Sequence, residues 1–338
     1  VKHTITLDYE EVTDITPDVR ITLYNAGHIL GSAMVHLHIG NGLHNLLYTG
    51  DLKYGFTQLL DPAVTRFPRL ETLMIESTYG GKECLSPSRQ ESEDKFVDII
   101  NETIQAGGKV LVPTLGSGRA QEVLVIMENS IRNKKLSGEL NVFIDGMVWD
   151  ITAIHTAYPE FLNSNVRKQI FHKDQNPFLS EVFKKVGSPA ERKQIVEEEG
   201  SCILVATSGM LTGGPSVEYL KELANNKNNS LIFSSYLGEG SLGRRISNGE
   251  KTINFPHKVG GSMEVIEIKM GIYNIRGYSG HASRNELMNF FSKLTPRPKK
   301  VIINHGESSK CLELASALHK TYKVETAAPR NLEVIRVR

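Results

Sequence analysis

The amino-acid sequence predicts an α/β protein in which sheets are flanked by helices. Short β-branched and aliphatic runs recur along the chain, and each is closed by glycine or by a polar turn. Most of these runs do not alternate apolar with polar residues, which is typical of strands covered on both faces. Helical patterns lie between several of the runs, and this succession of strand and helix indicates an α/β fold.

The predicted elements follow one another along the whole chain. The predicted strands cover residues 19–24, 43–48, 70–75, 109–112, 140–144, 202–206, 231–233 and 300–303. The predicted helices cover residues 90–106, 120–133, 215–225, 284–294 and 308–321. The turn Gly40-Asn41-Gly42 predicts a hairpin, so we expect His36 and His38 to lie on one of its arms and not at a metal site.

The composition is that of a globular protein without covalent cross-links. Of the 338 residues, 40% are hydrophobic and 23% are charged, and a chain of this size buries about three quarters of its unfolded surface. Cys84, Cys202 and Cys311 are too few and too far apart for a disulfide framework or a four-cysteine zinc site. No apolar run approaches the roughly 18 residues of a membrane span. We therefore expect a cytoplasmic protein with no membrane partner.

Five polar residues that follow or border apolar runs are the candidate site residues, because ligands collect outside the carboxyl ends of strands in α/β sheets. They are His28, Asp51, Glu76, His281 and His305. Imidazoles and a carboxylate, as in His28, His305 and Asp51, are ligands that zinc prefers. His281 precedes Ser283-Arg-Asn-Glu286, a capping-box pattern that places it at the start of a helix. Taken singly, each residue also fits a plainer interpretation as a turn former or a loop side chain.

Three glycine-rich segments predict seats for phosphate groups. Gly116-Ser117-Gly118-Arg119 joins a strand to a helix, with Ser117 as a candidate N-cap, and helix N-terminal amides beside a guanidinium bind anions. Residues 206–215, which include Ser208 and Gly209, form a second such turn that ends at Pro215, where a first helical residue is expected. Residues 237–245, which include Gly240 and Ser241, form the third. The net charge of +1 means that a polyanion must be attracted by local patches of this kind.

The order of these motifs resembles that of the metallo-β-lactamase nucleases with a β-CASP insert, in particular the archaeal branch related to the cleavage and polyadenylation specificity factor. The motifs are Ala-Gly-His28, Thr-Gly-Asp51, Glu76-Ser-Thr-Tyr-Gly, Ser-Gly-His281 and Asn-His305-Gly-Glu. Gly-Ser-Gly-Arg119-Ala-Gln-Glu and Thr-Ser-Gly-Met210 extend the resemblance. It implies a partial metallo-β-lactamase αβ/βα sandwich over residues 1–81 and 266–338, interrupted by an α/β β-CASP domain over residues 82–265.

The resemblance also implies roles for these residues. His28, Asp51 and His305 would belong to a site for two zinc ions, with Asp51 bridging them. His281 would stabilise developing charge or protonate the leaving oxygen, and Glu76 would orient His281. The residues that would hold phosphates of single-stranded RNA are Gly116, Ser117, Arg119, Ser208, Gly209, Gly240 and Ser241. The implied reaction is endonucleolytic RNA cleavage, with 5′–3′ exonuclease activity in some members, in 3′-end processing and transcription termination.

The family's H-x-H-x-D-H motif and its upstream aspartate are absent from this sequence. We therefore expect an N-terminally truncated fragment that binds zinc poorly and is inactive by itself. The resemblance further implies a homodimer formed through the C-terminal segment, and the transcription machinery as a partner.

Two alternatives stay open. The chain could be a non-catalytic scaffold that binds RNA or a partner protein, although it keeps all five matching residues. It could also be a small-molecule metallohydrolase of the same superfamily, but the long insert between Glu76 and His281 disfavours that interpretation.

Overall fold

A computed structural model describes residues 2–84, 87–256 and 263–337 of the chain. The strands are β1 (Val12–Thr16), β2 (Val19–Asn25), β3 (Ala33–Ile39), β4 (His44–Tyr48), β5 (Thr72–Glu76), β6 (Val110–Pro113), β7 (Val142–Asp145), β8 (Phe183–Lys185), β9 (Ile203–Ala206), β10 (Ser230–Phe233), β11 (Thr252–Pro256), β12 (Met263–Glu267), β13 (Gly271–Asn274), β14 (Lys300–Asn304) and β15 (Glu325–Ala327). The helices are α1 (Arg89–Gln105), α2 (Arg119–Arg132), α3 (Met147–Ala157), α4 (Ser164–Lys173), α5 (Pro189–Glu197), α6 (Pro215–Leu223), α7 (Leu242–Ser247), α8 (Arg284–Lys293) and α9 (Ser308–Tyr322).

The predicted α/β class is confirmed. Each of the predicted strands and helices is present within a few residues of its expected bounds. The predicted hairpin is also present, because Ile39 of β3 pairs with His44 of β4 across the turn that contains Gly40, Asn41 and Gly42. All three turn residues have positive φ angles, which is the conformation that such glycine- and asparagine-rich turns favour.

The chain divides into two compact units. The first consists of Val1–Ser86 and Gly280–Arg338, and the second of Pro87–Ser279. The expected domain boundaries lay at 81/82 and 265/266. The second boundary of the compact units falls later because β13 pairs in parallel with β10, which ties residues 271–274 to the second unit.

A seven-stranded mixed sheet forms the framework of the first unit, with the strand order β1-β2-β3-β4-β5-β14-β15. The pairs β1–β2, β2–β3 and β3–β4 are antiparallel, whereas the pairs β4–β5, β5–β14 and β14–β15 are parallel. The pairing of β5 with β14 ends with Glu76 opposite Asn304. The polar residues that end or follow β2, β4, β5 and β14 therefore share one edge of the sheet.

One face of this sheet is packed against α8 and α9. Met34, Leu47 and Leu73 of the sheet share a buried cluster with Phe290 of α8 and Leu318 of α9. Each fully buried side chain of this kind contributes about 1.5–3 kcal/mol to the free energy of unfolding.

The other face of the sheet is apolar but only partly buried. Ile21, Leu23, Val35, Leu37 and Leu46 lie on it and remain partly exposed. They are neighbours across strands, because Ile21 pairs with Leu37, Leu23 with Val35, and Leu37 with Leu46. We call these five side chains the outer face.

The second unit contains a six-stranded parallel sheet with the order β13-β10-β6-β9-β7-β8. Every residue of β6, β9 and β10 is buried, as their unalternating sequences predicted. Two apolar clusters include residues of this sheet, one with Phe96 and Leu124 and the other with Tyr219 and Leu220. Among the described residues, no helix has both the length and the apolar character that crossing a membrane requires.

Candidate metal centre

All five candidate site residues belong to the first unit. His28 and Asp51 follow β2 and β4, Glu76 ends β5, His305 follows β14, and His281 precedes α8. The carboxyl ends of β2, β4, β5 and β14 lie at the same edge of the sheet, and this geometry brings residues that are far apart in the chain together. The roles assigned to them by resemblance stay predictions, and their geometry is described below.

Asp51 presents one carboxylate oxygen to each of two imidazoles. Its Oδ2 atom lies 3.6 Å from Nε2 of His28, and its Oδ1 atom lies 3.4 Å from Nδ1 of His305. The carboxylate thus offers one donor oxygen beside each of the two imidazoles.

The ring of His28 is oriented by the backbone. Its Nδ1 atom lies 2.9 Å from the carbonyl oxygen of Gly280. A carbonyl only accepts, so Nδ1 carries a proton and donates it there, and Nε2 is the ring nitrogen that faces Asp51. An imidazole that donates its second N–H in this way is the usual arrangement of a metal-binding histidine.

Glu76 and His281 form a second feature of the site. His281 Nδ1 lies 3.0 Å and 2.9 Å from the two carboxylate oxygens of Glu76, and the Leu52 N–H donates to Glu76 Oε1 at 2.5 Å. Burial opposes ionisation of Glu76, but the hydrogen bonds from His281, Thr78 and Leu52 outweigh it and lower the pKa of the carboxyl. Glu76 is therefore an ionised carboxylate beside the His281 imidazole.

The side chains also fit a metal by the chemistry of their donors. The ligand atoms of His28, Asp51 and His281 all lie within 4.8 Å of one another, and so do those of Glu76, His281 and His305. Imidazole nitrogens and carboxylate oxygens are the donors that zinc prefers when no thiolate is present. Within the expected ligand set, Asp51 lies close to His28 and also close to His305.

The backbone around the site adopts conformations that few residues tolerate. Gly27 has a φ angle of +70°, and a Cβ atom there would lie 2.6 Å from the carbonyl oxygen of Lys53. His305 has a φ angle of +47° although it is not glycine. A histidine in the left-handed region costs free energy, so the surrounding structure must hold it there.

Thr78 is a part of the site that we did not predict. Its hydroxyl lies 3.2 Å from Nδ1 of His305 and 3.4 Å from Nδ1 of His281. The residue stands in the Glu76-Ser-Thr-Tyr-Gly motif, so its position in the sequence was the only available signal. The Leu52 amide and the Gly280 carbonyl were not predictable, because backbone groups leave no sequence pattern.

The predicted phosphate-binding turns lie in the second unit. The turns after β6, β9 and β10 share the carboxyl edge of three neighbouring parallel strands. They also touch: a Cβ atom on Gly209 would lie 3.0 Å from the Leu115 nitrogen, and Gly243 N donates to Met210 O at 2.9 Å. Gly116, Ser117, Ser208, Gly240 and Ser241 are at least partly exposed, whereas Gly209 is buried.

Two expectations about the first of these turns are wrong. The N-cap of α2 is Gly118 and not Ser117, because the chain enters the helix with Gly118 at φ +80°. Arg119 does not offer its guanidinium to a phosphate, since the residue is 3% exposed. Its guanidinium pairs with Glu122 and donates to the carbonyl oxygen of Tyr278 at 2.9 Å. Pro215 does occupy the first turn of α6, as expected.

Comparisons with known proteins agree with this description. A family model described as the Beta-Casp domain matches residues 120–246. A model described as the Zn-dependent metallo-hydrolase RNA specificity domain matches residues 265–329.

The chain is also similar to archaeal proteins named "Transcription termination factor FttA". It is 51% identical over 338 residues to the protein of Thermococcus kodakarensis, a match that covers 100% of this chain and 52% of the relative. It is 50% identical over 338 residues to the protein of Methanocaldococcus jannaschii, covering 100% and 53%. For the protein of Lokiarchaeum sp. the identity is 49% over 335 residues, covering 99% and 52%.

The chain thus spans about half the length of the curated relatives it matches. The expected resemblance is nevertheless confirmed, because two family models match in the expected order and the relatives align with the whole chain. The chain thus matches the Beta-Casp domain and the RNA specificity domain of Zn-dependent metallo-hydrolases, in that order along the sequence.

Proposed function

We propose that this chain contributes to a zinc-dependent ribonuclease centre that hydrolyses RNA phosphodiesters in 3′-end processing and transcription termination. The observation that carries the proposal is Asp51, whose two oxygens face His28 and His305 beside the pair of His281 and Glu76. The match to a metallo-hydrolase RNA specificity domain supports both the metal and the substrate. The relatives named as transcription termination factors support the process.

The proposed metal ligands are His28, Asp51 and His305. When bound, two zinc ions would lower the pKa of a water molecule and polarise the scissile phosphate. The carboxylate of Asp51 supplies the negative charge and the two imidazoles supply neutral donors. Three residues do not enclose two dications, and the H-x-H-x-D-H motif is absent from the sequence. We therefore propose that these 338 residues alone bind zinc weakly and are inactive.

His281 and Glu76 are the proposed catalytic pair. Because Nδ1 of His281 donates to Glu76, its Nε2 atom is the one that exchanges a proton with substrate. The ionised carboxylate stabilises the protonated imidazole, which can then donate to the leaving oxygen or stabilise charge on the phosphate. Glu76 thus acts through His281 as its orienting group.

The proposed RNA contacts are backbone amides and hydroxyls of the turns in the second unit. They belong to Gly116, Ser117, Ser208, Gly240 and Ser241, which are at least partly exposed, whereas Gly209 is buried and is left out. Ser241 is the N-cap of α7, and its hydroxyl accepts from Arg244 N and donates to the Gly238 carbonyl oxygen. Contacts of this kind bind phosphates without reading bases, and we propose single-stranded RNA as the ligand. Arg119 is excluded from this set by its burial.

The C-terminal segment is the proposed dimer contact. Leu332 and Val334 are 101% and 94% exposed, which is unusual for aliphatic side chains and favours a partner surface. We propose a homodimer through this segment, with the transcription machinery as a further partner. Light scattering on the longest natural chain that contains these residues tests the dimer: the parent should have twice its monomer mass and the Leu332→Asp/Val334→Asp variant should be monomeric. A monomeric parent would contradict this contact.

RNA cleavage tests the proposed function directly. The experiment uses the longest natural chain that contains these 338 residues, a labelled single-stranded RNA and a second RNA with a blocked 5′ end. Endonuclease activity gives internal products from both RNAs, whereas 5′–3′ trimming acts only on the first. His281→Ala should lower the cleavage rate about 10²- to 10⁴-fold while zinc content stays unchanged.

A non-catalytic RNA-binding scaffold is the second candidate, and the absence of H-x-H-x-D-H is the observation that favours it. The same experiment separates the two. RNA binding without zinc-dependent cleavage in the longest natural chain supports the scaffold, and zinc-dependent cleavage supports the nuclease.

A further inference from the structure

Lys53 is a buried charged residue that the proposed mechanism does not use. It stands two residues after Asp51 and is 5% exposed. Its Nζ atom lies 2.9 Å from Oε2 of Glu286 and 3.3 Å from the carbonyl oxygen of His281. Lysine is almost never buried without a partner, and here its partners lie on the segment that carries His281.

Glu286 connects this lysine to the start of α8. The same Oε2 atom accepts from the Ser283 N–H at 2.7 Å, and Ser283 is the N-cap of the helix in a capping box. Gly55 lies against this carboxylate, because a Cβ atom at residue 55 would clash with Glu286 Oε1. The side chain of Glu286 is 25% exposed, and several contacts at once set the position of its carboxylate.

Residues 51–53 touch each part of the candidate centre. Asp51 faces His28 and His305. The Leu52 N–H donates to Glu76, and the Leu52 carbonyl accepts from the Ala282 N–H at 2.6 Å. Lys53 then reaches the His281 carbonyl with its ammonium group. Backbone and side chain of one three-residue segment thus contact Glu76 and both polar groups of the peptide bond that joins His281 to Ala282.

We propose that the ion pair between the buried Lys53 and the partly buried Glu286 fixes the backbone of residues 281–283, so that the His281 imidazole keeps its hydrogen bond to Glu76. Only the effect of this pair on catalysis rests on the proposed function. The orientation of His281 is a property of the chain without metal or RNA.

Energetics favour a role in positioning over one in stability. Burying two charges costs free energy that their attraction only partly offsets, and apolar residues of similar volume often stabilise a protein equally well. If two apolar residues replaced Lys53 and Glu286, or if Glu286 capped the helix without Lys53, no side chain of this pair would donate to the His281 carbonyl oxygen. The specific contribution of Lys53 is therefore this charge-assisted hydrogen bond, which is directional.

The test separates positioning from stability. Lys53→Met leaves Glu286 without its cationic partner and should lower the melting temperature. Lys53→Met/Glu286→Gln removes both charges and should recover most of the stability, but it does not restore the donor to the His281 carbonyl. Lys300→Met is the matched control, because Lys300 pairs with Glu325 at 2.7 Å in the same unit.

The readout is the low-field Nδ1–H resonance of His281 in the metal-free chain, assigned by its loss in His281→Gln. We expect this resonance to broaden or shift in both Lys53 variants and to be unchanged in Lys300→Met. Recovery of the resonance together with stability in the double variant would overturn the proposal, and so would an unchanged resonance in Lys53→Met. If Lys53→Met does not fold, the double variant decides.

The catalytic consequence is measured separately in the longest natural chain. In the double variant kcat should fall about tenfold or more with KM unchanged, because small displacements of a reacting group are costly. An unchanged kcat would overturn the catalytic part. If the parent does not cleave RNA, the proposed function fails, while the resonance still tests the positioning of His281.

Discussion

The imidazole of His281 lies with its Nδ1 atom 2.9 Å from Oε2 of Glu76, a carboxylate that is itself held by the Leu52 amide. These two residues are far apart in the sequence and come together at one edge of the first sheet. Because Glu76 accepts a hydrogen bond from Nδ1, this pairing keeps a proton on the Nδ1 atom of His281.

Glu76→Gln should lower RNA cleavage by the longest natural chain about 10²-fold, because a neutral amide cannot stabilise the protonated imidazole. Zinc content should stay the same, since Glu76 is proposed to act through His281. Cleavage assays with metal analysis check both expectations. Glu83→Gln, at an exposed carboxylate of the same unit, should leave cleavage unchanged. Equal activity of Glu76→Gln and the parent would contradict the orienting role.

Zinc binding by the 338 residues alone should be weak and below two ions per chain. Three proposed ligands cannot neutralise and enclose two dications. Asp51→Asn should weaken the remaining binding at least about tenfold, whereas Asp18→Asn, in an exposed turn, should not change it. Isothermal titration calorimetry measures both. Tight uptake of two zinc ions by the parent chain would show that the ligand set is larger than proposed.

His36 predicts an acid-sensitive contribution to stability. Burial, and then the neighbouring His38, lower the pKa of His36 to about 4 from 6.5. The unfolded chain therefore takes up a proton between pH 6.5 and 4 while the folded chain does not. The free energy of unfolding should fall by about 3 kcal/mol over this window from this residue, and the contribution is complete above pH 6.5.

Denaturant titrations at several pH values check this expectation. The acid-dependent fall should be smaller in His36→Gln than in the parent. His172→Gln, at an exposed position on α4, should keep the pH dependence of the parent. If His36→Gln and the parent lose stability in parallel, His36 is not the group responsible.

The outer face of the first sheet predicts self-association of the 338-residue chain. Leu37 lies at its centre, paired with Ile21 and Leu46. Leu37→Lys places a charge on a partly exposed face, so it should reduce binding of a hydrophobic dye and lower the average mass in light scattering. Thr321→Lys adds the same charge at an exposed position on α9 and should have no effect. Weak dye binding by the parent would show that the outer face is covered.

Sequence patterns predicted the elements that are buried on both sides. Strands such as β6, β9 and β10 are short aliphatic runs, and their burial on both faces leaves no polar residue to obscure them. The unpredicted elements include β1 and β8, whose residues are mostly exposed. Helix α3 was also missed. Its apolar residues Met147 and Ile154 are exposed, so the sequence does not show one apolar and one polar helix face.

The candidate site was predictable in its residues but not in its connections. His28, Asp51, Glu76, His281 and His305 each stand in a recognisable motif. The pairing of Lys53 with Glu286 joins positions 233 residues apart, and no local pattern reports such a contact. Arg119 shows the converse error. Its place in a glycine-rich turn predicted an exposed cation, whereas its partner Tyr278 lies 159 residues away and holds it inside.

The insertion of β14 beside β5 has a consequence for the synthesis of the chain. Strand β5 cannot gain this neighbour until Asn304 has left the ribosome, and the same residues deliver His305 to the edge of the sheet. A nascent chain that ends before Gly280 has His28, Asp51 and Glu76 but neither His281 nor His305, and one that ends before Asn304 still lacks His305. Assembly of the centre is thus delayed until translation has passed the whole second unit.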